Sequence, residues 1–480
     1  MASLMDSKKE PYFGLKGAAC ATDMSLFGYD QGLFGGVVVA EDFLTKTPST
    51  VTAIYDVGCF FGAPWPSALG APRKKSILLG TTLMAIGTLL KCVPYSLPQI
   101  FVGWVILGYQ TETSSPKWRG KLVSLEMVMN ILGLSMVNWI NYGLSFAGGA
   151  LMFTFVLFAT VPRLPESPGW PMQMGYEKEA IEILSSQKNE IEYTIYYERE
   201  NAIRWRDILL RRKTDSTDSK TLRRLILGTG TQLMQRFKGV NIISYYLPTV
   251  RMNFVGLSNS MARLLTAVNS ITYLIYTCCA VGLIERMRRH GLMMLSTAGQ
   301  FFAFLIITIL LRYAEANAGA AEGHRFGSAS TVFFFLFYIF FGLGMLEIPW
   351  LYPTKLSSLQ MRNKGAAVAT ATNWITNFVI VEITPIRIQN IGWKFWIVWT
   401  VFNAAFLPAI YFVYPETANR TLEDIDAHYR SNPSLIVIKD PDAISAKPPL
   451  KYIEHEDHKM KMIGEVKTKK AGGLMVEHVE

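Results

Sequence analysis

The sequence predicts an all-α integral membrane protein built from two related halves, and three observations lead there. Half of the 480 residues are hydrophobic and only 18% are charged. The apolar residues gather in long blocks, among them Ala262–Ile284, Gly291–Leu311, Thr331–Leu346 and Trp393–Tyr414. A helix needs roughly 20 apolar residues to cross a bilayer core of about 30 Å, whereas a soluble chain of this length would divide into domains with polar surfaces. The second observation is where the cations lie. The formal charge of +10 resides mostly between and after the apolar blocks: Arg204, Arg206, Arg211, Arg212, Lys213, Lys220, Arg223 and Arg224 in the middle, and Lys459, Lys461, Lys467, Lys469 and Lys470 near the end. Together with Lys8 and Lys9 they place both termini in the cytoplasm by the positive-inside rule, which requires an even number of spans. The third observation is an internal repeat. Arg73-Lys-Lys-Ser-Ile-Leu-Leu-Gly parallels Arg288-Arg-His-Gly-Leu-Met-Met, Pro116-Lys-Trp-Arg119-Gly-Lys parallels Gln360-Met-Arg362-Asn-Lys-Gly, and Pro165-Glu-Ser-Pro parallels Pro415-Glu-Thr.

Taken along the chain, residues 1–15 are a polar cytoplasmic start without the pattern of a signal peptide. Residues 16–163 form a first helix bundle, with clear spans at about 76–97 and 122–142 and weaker ones near 16–40, 51–64, 98–109 and 147–163. A charged cytoplasmic loop, 164–222, precedes a second bundle, 223–414. Its six spans lie near 223–250, 262–284, 291–312, 328–350, 364–384 and 393–414. Residues 415–480 are a cytoplasmic tail rich in Lys, Glu and His, which reads as solvated and largely disordered. The five cysteines (Cys20, Cys59, Cys92, Cys278 and Cys279) lack metal-like spacing and read as buried small residues.

Five motifs in order make the reading specific. Phe27-Gly-Tyr-Asp30-Gln-Gly, Ser115-Pro-Lys-Trp-Arg119-Gly, Pro165-Glu-Ser-Pro, Gln235 through Gly239 to Asn241, and Pro415-Glu-Thr together resemble the sugar porter family of the major facilitator superfamily. The stretches Thr52–Ala63 and Lys364–Pro385 are similar to those of fungal hexose and polyol transporters. The resemblance implies two six-helix bundles rocking about a central sugar site. It implies transmembrane transport of a hexose or related monosaccharide or polyol, by proton-coupled symport, in a monomer at the plasma membrane. It implies no cofactor and no nucleic-acid partner; the partners are the sugar, protons and the lipid bilayer.

A sugar presents many hydroxyls, so its pocket needs amides that both donate and accept, with aromatic faces beside them. The predicted helix around 223–250 carries Gln232, Gln235, Asn241, Tyr245 and Tyr246. Gln235 and Tyr245 fall near one face of such a helix, three turns apart. The resemblance places Gln235 and Asn241 on the sugar and adds Asn269, Trp350, Asn373 and Trp374 to the cavity wall. The competing reading is that amides inside a membrane join neighbouring helices. Asp30, an ionisable group in an apolar span, is the expected proton carrier; the competing reading makes it a helix cap. Asp23 and Glu126 are further intramembrane acids.

Several positions depart from the family pattern. Trp104 replaces the arginine expected to face Asp30, Arg236 the second glutamine of a pair, Lys355 an acidic residue, and Gly169 a final arginine; Glu347 stands where a small residue is usual. The first half is also short. Arg73 and Arg119 are 46 residues apart, against 74 between the equivalent Arg288 and Arg362, a deficit of 28. Pro98–Gly108 is apolar over a length of only about 16 Å as helix, too little to cross. Pro64 and Pro66 interrupt the second span, and the sixth is confined to about 150–161. Missing segments account for these features, and short re-entrant pieces are the alternative. Transport by this chain is then expected to be impaired.

Two other functions compete with transport. A sugar receptor without transport would signal through its tail, and sensors of this family tend to have longer tails than this one. An enzyme would need a phosphate loop or metal cluster, and the sequence offers neither. His455-Glu-Asp-His458 reads as a solvated run rather than a metal site. Asn419-Arg-Thr421 has the form of a glycosylation triplet on the wrong side of the membrane.

Overall fold

In the computed structural model, the residues described are Ser25, Gly28, 50–62, 119–143, 220–245, 259–317, 320–358, 361–418, 420, 422–431, 434–440 and 443. They are helical or lie in short turns, with no strand among them. The helices are α1 (Thr50–Gly62) and α2 (Arg119–Gly143) from the first half, then α3 (Thr221–Phe237), α4 (Asn259–Arg286), α5 (Arg289–Ala316), α6 (Ala321–Phe340), α7 (Ile348–Leu356), α8 (Arg362–Ile391), α9 (Lys394–Val413) and, in the tail, α10 (Leu422–Arg430). Among the described residues, five segments are long and apolar enough to cross a bilayer: Met261–Ile284, Arg289–Ala316, Ala321–Leu356, Lys364–Thr384 and Lys394–Val413.

The distribution of side chains is that of a protein solvated by lipid. Ile275, Phe302, Val332, Ile383 and Val401 point outward and are exposed, while Gln232, Gln235, Gln300, Asn373, Asn377 and Asn403 are buried. Exposed apolar area on this scale would be a liability in water. In a bilayer it costs nothing, and the polar groups turn inward to find partners. Within the second half α5 packs along α6 and α9, and α3 lies against α8 and α7. The first half reaches across through α2 on α4 and α1 on α8.

Two spans are broken, each for a legible reason. The span expected over 223–250 stops at Phe237 and resumes at residues 240–245. Between them Gly239 adopts φ +86°, a left-handed conformation open to glycine at little cost. A side chain there would also place its Cβ 2.9 Å from Phe304 Cζ. The span expected over 328–350 begins at Ala321 and passes through a π-turn, Phe341–Met345, before continuing as α7. The π-turn is marked by Leu346 N–H donating to Phe341 O at 3.0 Å. Gly344 permits it, since a Cβ there would lie 2.7 Å from Leu292 O.

Proline shapes the helix beyond the π-turn. Pro349 and Pro353 have no N–H, so the carbonyls four residues earlier, Met345 O and Pro349 O, lose their helical donors. Side chains from α3 replace them. Gln235 Nε2 donates to Met345 O at 2.8 Å and Leu346 O at 3.1 Å, and Gln232 Nε2 donates to Pro349 O at 2.8 Å. The three-residue spacing of the glutamines puts both on one face of α3, facing the broken span.

The described residues at the start of the tail are packed rather than disordered. Glu416 accepts backbone N–H bonds from Arg289 (3.2 Å), His290 (3.1 Å), Thr417 (2.8 Å) and Ala418 (2.7 Å), so it caps the N-terminus of α5 where a carboxylate also suits the helix dipole. Arg224 at the start of α3 donates to Leu356 O at 2.5 Å and pairs with Asp426 of α10. The same guanidinium lies 5.1 Å from the ring of Tyr429, and that of Arg223 lies 5.6 Å away.

Candidate functional site

A cavity of about 70 Å3, room for on the order of five waters, opens between α2 and the second half. Gln235, Asn241, Tyr245 and Trp350 line it, as do Asn130, Ser244, Tyr273, Phe341 and Arg236. A smaller recess, lined by Asn138, Thr266, Asn269 and Ser270, shares Leu134, Ser244 and Tyr273 with the first, so the two adjoin. Wall groups thus alternate between amides, hydroxyls and aromatic faces.

The positions anticipated from sequence fall into three groups. Gln235, Asn241, Tyr245 and Trp350 lie on the cavity wall, although the helix expected to align Gln235 with Tyr245 is broken between them. Asn269 lies in the adjoining recess; it is buried, and its Oδ1 accepts no hydrogen bond from the described residues. Gln232, Asn373 and Trp374 stand behind the wall. Asn373 Nδ2 donates to Gln232 Oε1 at 2.5 Å and to Gln235 Oε1 at 3.0 Å, so Gln232 and Asn373 join α3 to α8. Trp374 packs edge-on against Tyr55 with ring centroids 6.3 Å apart, and the Arg236 guanidinium sits 5.2 Å above its ring. Asp30, its missing partner at Trp104, Asp23 and Tyr246 lie outside the described residues; Glu126 lies on α2.

The structure adds a buried chain of polar groups that the sequence reading did not assemble. Arg236 donates through Nε to Asn373 Oδ1 at 2.8 Å and through Nη1 to Asn241 Oδ1 at 2.9 Å. Asn241 Nδ2 bonds in turn to Asn377 Oδ1, and Asn377 Nδ2 donates to both oxygens of Asp56 at 2.8 and 2.9 Å. A cation of the second half is therefore joined through two amides to a carboxylate of the first, and Asp56 is only 2% exposed. The signal for Asp56 was present, since it is an acid within the apolar stretch 51–64. Asn377 and Tyr273 each follow an anticipated asparagine, Asn373 and Asn269, by one helical turn.

Comparison with known proteins agrees. The profile of the family described as "Sugar (and other) transporter" matches residues 17–429. The chain belongs to this family. Within the sugar transporter family it is 55% identical to the MFS-type transporter oryC of Aspergillus oryzae, covering 100% of this chain and 98% of the relative. It is 30% identical to the sugar transporter STL1 of Saccharomyces cerevisiae, covering 85% of this chain and 79% of the relative. The fold is that of the proton:xylose symporter XylE, with a TM-score of 0.68 at 18% identity over 87% of this chain and 99% of that one. The major facilitator fold is thereby established, as is a membrane transporter rather than an enzyme. The alignment with the Aspergillus oryzae relative spans 534 positions against the 480 residues here. At least 54 of its positions, 534 less 480, have no counterpart in this chain. That agrees with missing internal segments.

Proposed function

We propose that the chain carries a sugar or related polyol across the plasma membrane together with a proton, as a monomer with both termini in the cytoplasm. The observation that supports this reading most directly is the cavity between the halves. Gln235, Asn241, Tyr245 and Trp350 converge on it, and the unpartnered Asn269 Oδ1 stands in the adjoining recess. A sugar hydroxyl is the donor that Asn269 lacks, the amides of Gln235 and Asn241 take further hydroxyls, and Trp350 offers an apolar face to the ring. The cavity lies where one half meets the other, so a ligand held there is exchanged between openings when the bundles rock.

For the proton, Asp30 keeps the role that the family resemblance gives it, and Asp56 is a second carrier. Its carboxylate is held by one amide, Asn377, whose other end holds Asn241 on the cavity wall. Taking up a proton turns one carboxylate oxygen from acceptor to donor. Asn377 then releases that oxygen, and the change is passed to the side chain that faces the sugar. The test is uptake of labelled glucose, xylose and glycerol by transport-deficient yeast at acid and alkaline pH, with surface expression measured in parallel. Uptake stronger at acid pH supports the reading. Normal surface expression without uptake or binding of any sugar, polyol or hydroxylated acid overturns it and favours a receptor that does not transport, or an inactive copy.

A further inference from the structure

Arg236 stands where the family motif carries its second glutamine, and it is the one charged residue among the described residues lining the cavity. Of its five N–H donors, one on Nε reaches Asn373 and one on Nη1 reaches Asn241; both acceptors are neutral amide oxygens. Nη2 makes no hydrogen bond to the described residues, and no carboxylate among them lies within ion-pair distance of the guanidinium. Asp56 is two amides away, on the far side of Asn377 from Asn241. The Trp374 ring lies beneath the guanidinium, 5.2 Å from it, and Arg236 lines the cavity.

Resting on the transport reading above, we propose that the substrate carries a carboxylate beside its hydroxyls, a hydroxylated acid rather than a neutral sugar, and that this carboxylate docks on the Nη1–Nη2 edge of Arg236. A buried guanidinium with no carboxylate among the described residues in direct contact is expensive in a low-dielectric interior, and a planar carboxylate is the ligand whose geometry matches its fork. The other lining groups suit the rest of such a molecule. Asn130, Ser244, Tyr245 and Tyr273 can bond hydroxyls, while Trp350 and Phe341 offer apolar faces. In a glutamine-bearing site a carboxylate would meet an amide dipole. Here it meets a full positive charge held in place by two asparagines and a tryptophan.

The experiment is equilibrium binding to the purified full-length chain in lipid nanodiscs, with gluconate, glucuronate and quinate as the acids and glucose and glycerol as the neutral ligands. The wild-type chain is expected to bind at least one acid about 10-fold or more tighter than any neutral ligand. In Arg236→Gln the acid-over-neutral preference is expected to fall by about 100-fold, the scale of a charge-assisted hydrogen bond lost in a buried site. Arg236→Lys, which retains the charge without the fork, should fall between the two. A wild-type chain that binds glucose or glycerol better than all three acids overturns the inference while sustaining the transport reading, and needs no variant to fold. An acid preference that survives in Arg236→Gln overturns it as well. Binding of neither class removes the transport reading and this inference with it.

Discussion

Replacing Gln232 with leucine tests whether the glutamines of α3 stand in for the N–H groups that proline removes. Gln232 Nε2 is 2.8 Å from Pro349 O, a carbonyl whose helical donor would have been the N–H of residue 353. Gln232→Leu leaves that buried carbonyl without the amide and also takes Oε1 from Asn373 Nδ2, which keeps Gln235 Oε1 at 3.0 Å; two bonds are lost, and only the one to Pro349 O depends on the proline at 353. An orphaned buried acceptor costs about 1–3 kcal/mol. Interhelical bonds in membranes average nearer 0.6 kcal/mol, so about 1 kcal/mol is expected. Pro353→Ala restores an N–H to position 353 and gives Pro349 O its helical donor. In that background the same Gln232→Leu change should cost less by about that amount, leaving only the loss of the Asn373 bond, which is common to both backgrounds. The assay is a double-mutant cycle on reversible unfolding in mixed micelles, reading the midpoint and slope for all four chains. Equal losses in the two backgrounds would refute the argument and reduce Gln232 to a packing residue.

Three further perturbations probe the same structure. Asp56→Asn keeps an acceptor for Asn377 and should preserve folding, but the ratio of uptake at acid to uptake at alkaline pH should fall towards one; an unchanged ratio removes Asp56 from coupling. Gly239→Ala forces an alanine to φ +86°, about 1–2 kcal/mol of backbone strain, and presses its Cβ against Phe304. Surface expression and thermal midpoint should both drop, and Phe304→Leu should relieve only the contact. Tyr429 is buried beside the two arginines, and burial pushes its phenol up to about 12 from an ordinary value near 10. The packed tail therefore holds that proton more tightly than the released tail. The stabilisation is intact below about pH 10 and is lost as pH climbs towards 12. Protease cleavage within α10 should rise over that interval, and Tyr429→Phe, which removes a hydroxyl that has no partner, should blunt the rise at no cost near neutrality.

The helices of the second half were legible because its apolar blocks are long, and each of its six expected spans contains a helix, although several helices run past the expected ends. What the blocks could not reveal were the breaks within them. Hydropathy averages over Lys238-Gly239 and over Phe341–Met345, whereas the chain conformation there depends on one glycine against Phe304 and another against Leu292. Of the wall residues, Gln235, Asn241 and Trp350 were named by the family pattern, and Tyr245 by its place on the helix expected over 223–250. The partners of Gln232 and Asn373 were not, because each bonds to an element more than a hundred residues away. Asp56 was overlooked for another reason. Its stretch, 51–64, is interrupted by Pro64 and Pro66 and has the pattern of an incomplete span, although the rule about acids in apolar helices applies to Asp56 as it does to Asp30.

Arg224 joins elements that are remote in the sequence: its guanidinium holds the last carbonyl of α7, its side chain springs from the first turn of α3, and its charge is met by Asp426 of the tail. The three meet at a single point. A rearrangement of α7 relative to α3 during transport would have to break these contacts or carry the tail helix with it. A fluorophore on the outer surface of α10 would thus act as a pointer, converting a small rotation deep in the bilayer into a displacement that can be followed from the aqueous side in an unlabelled transport core.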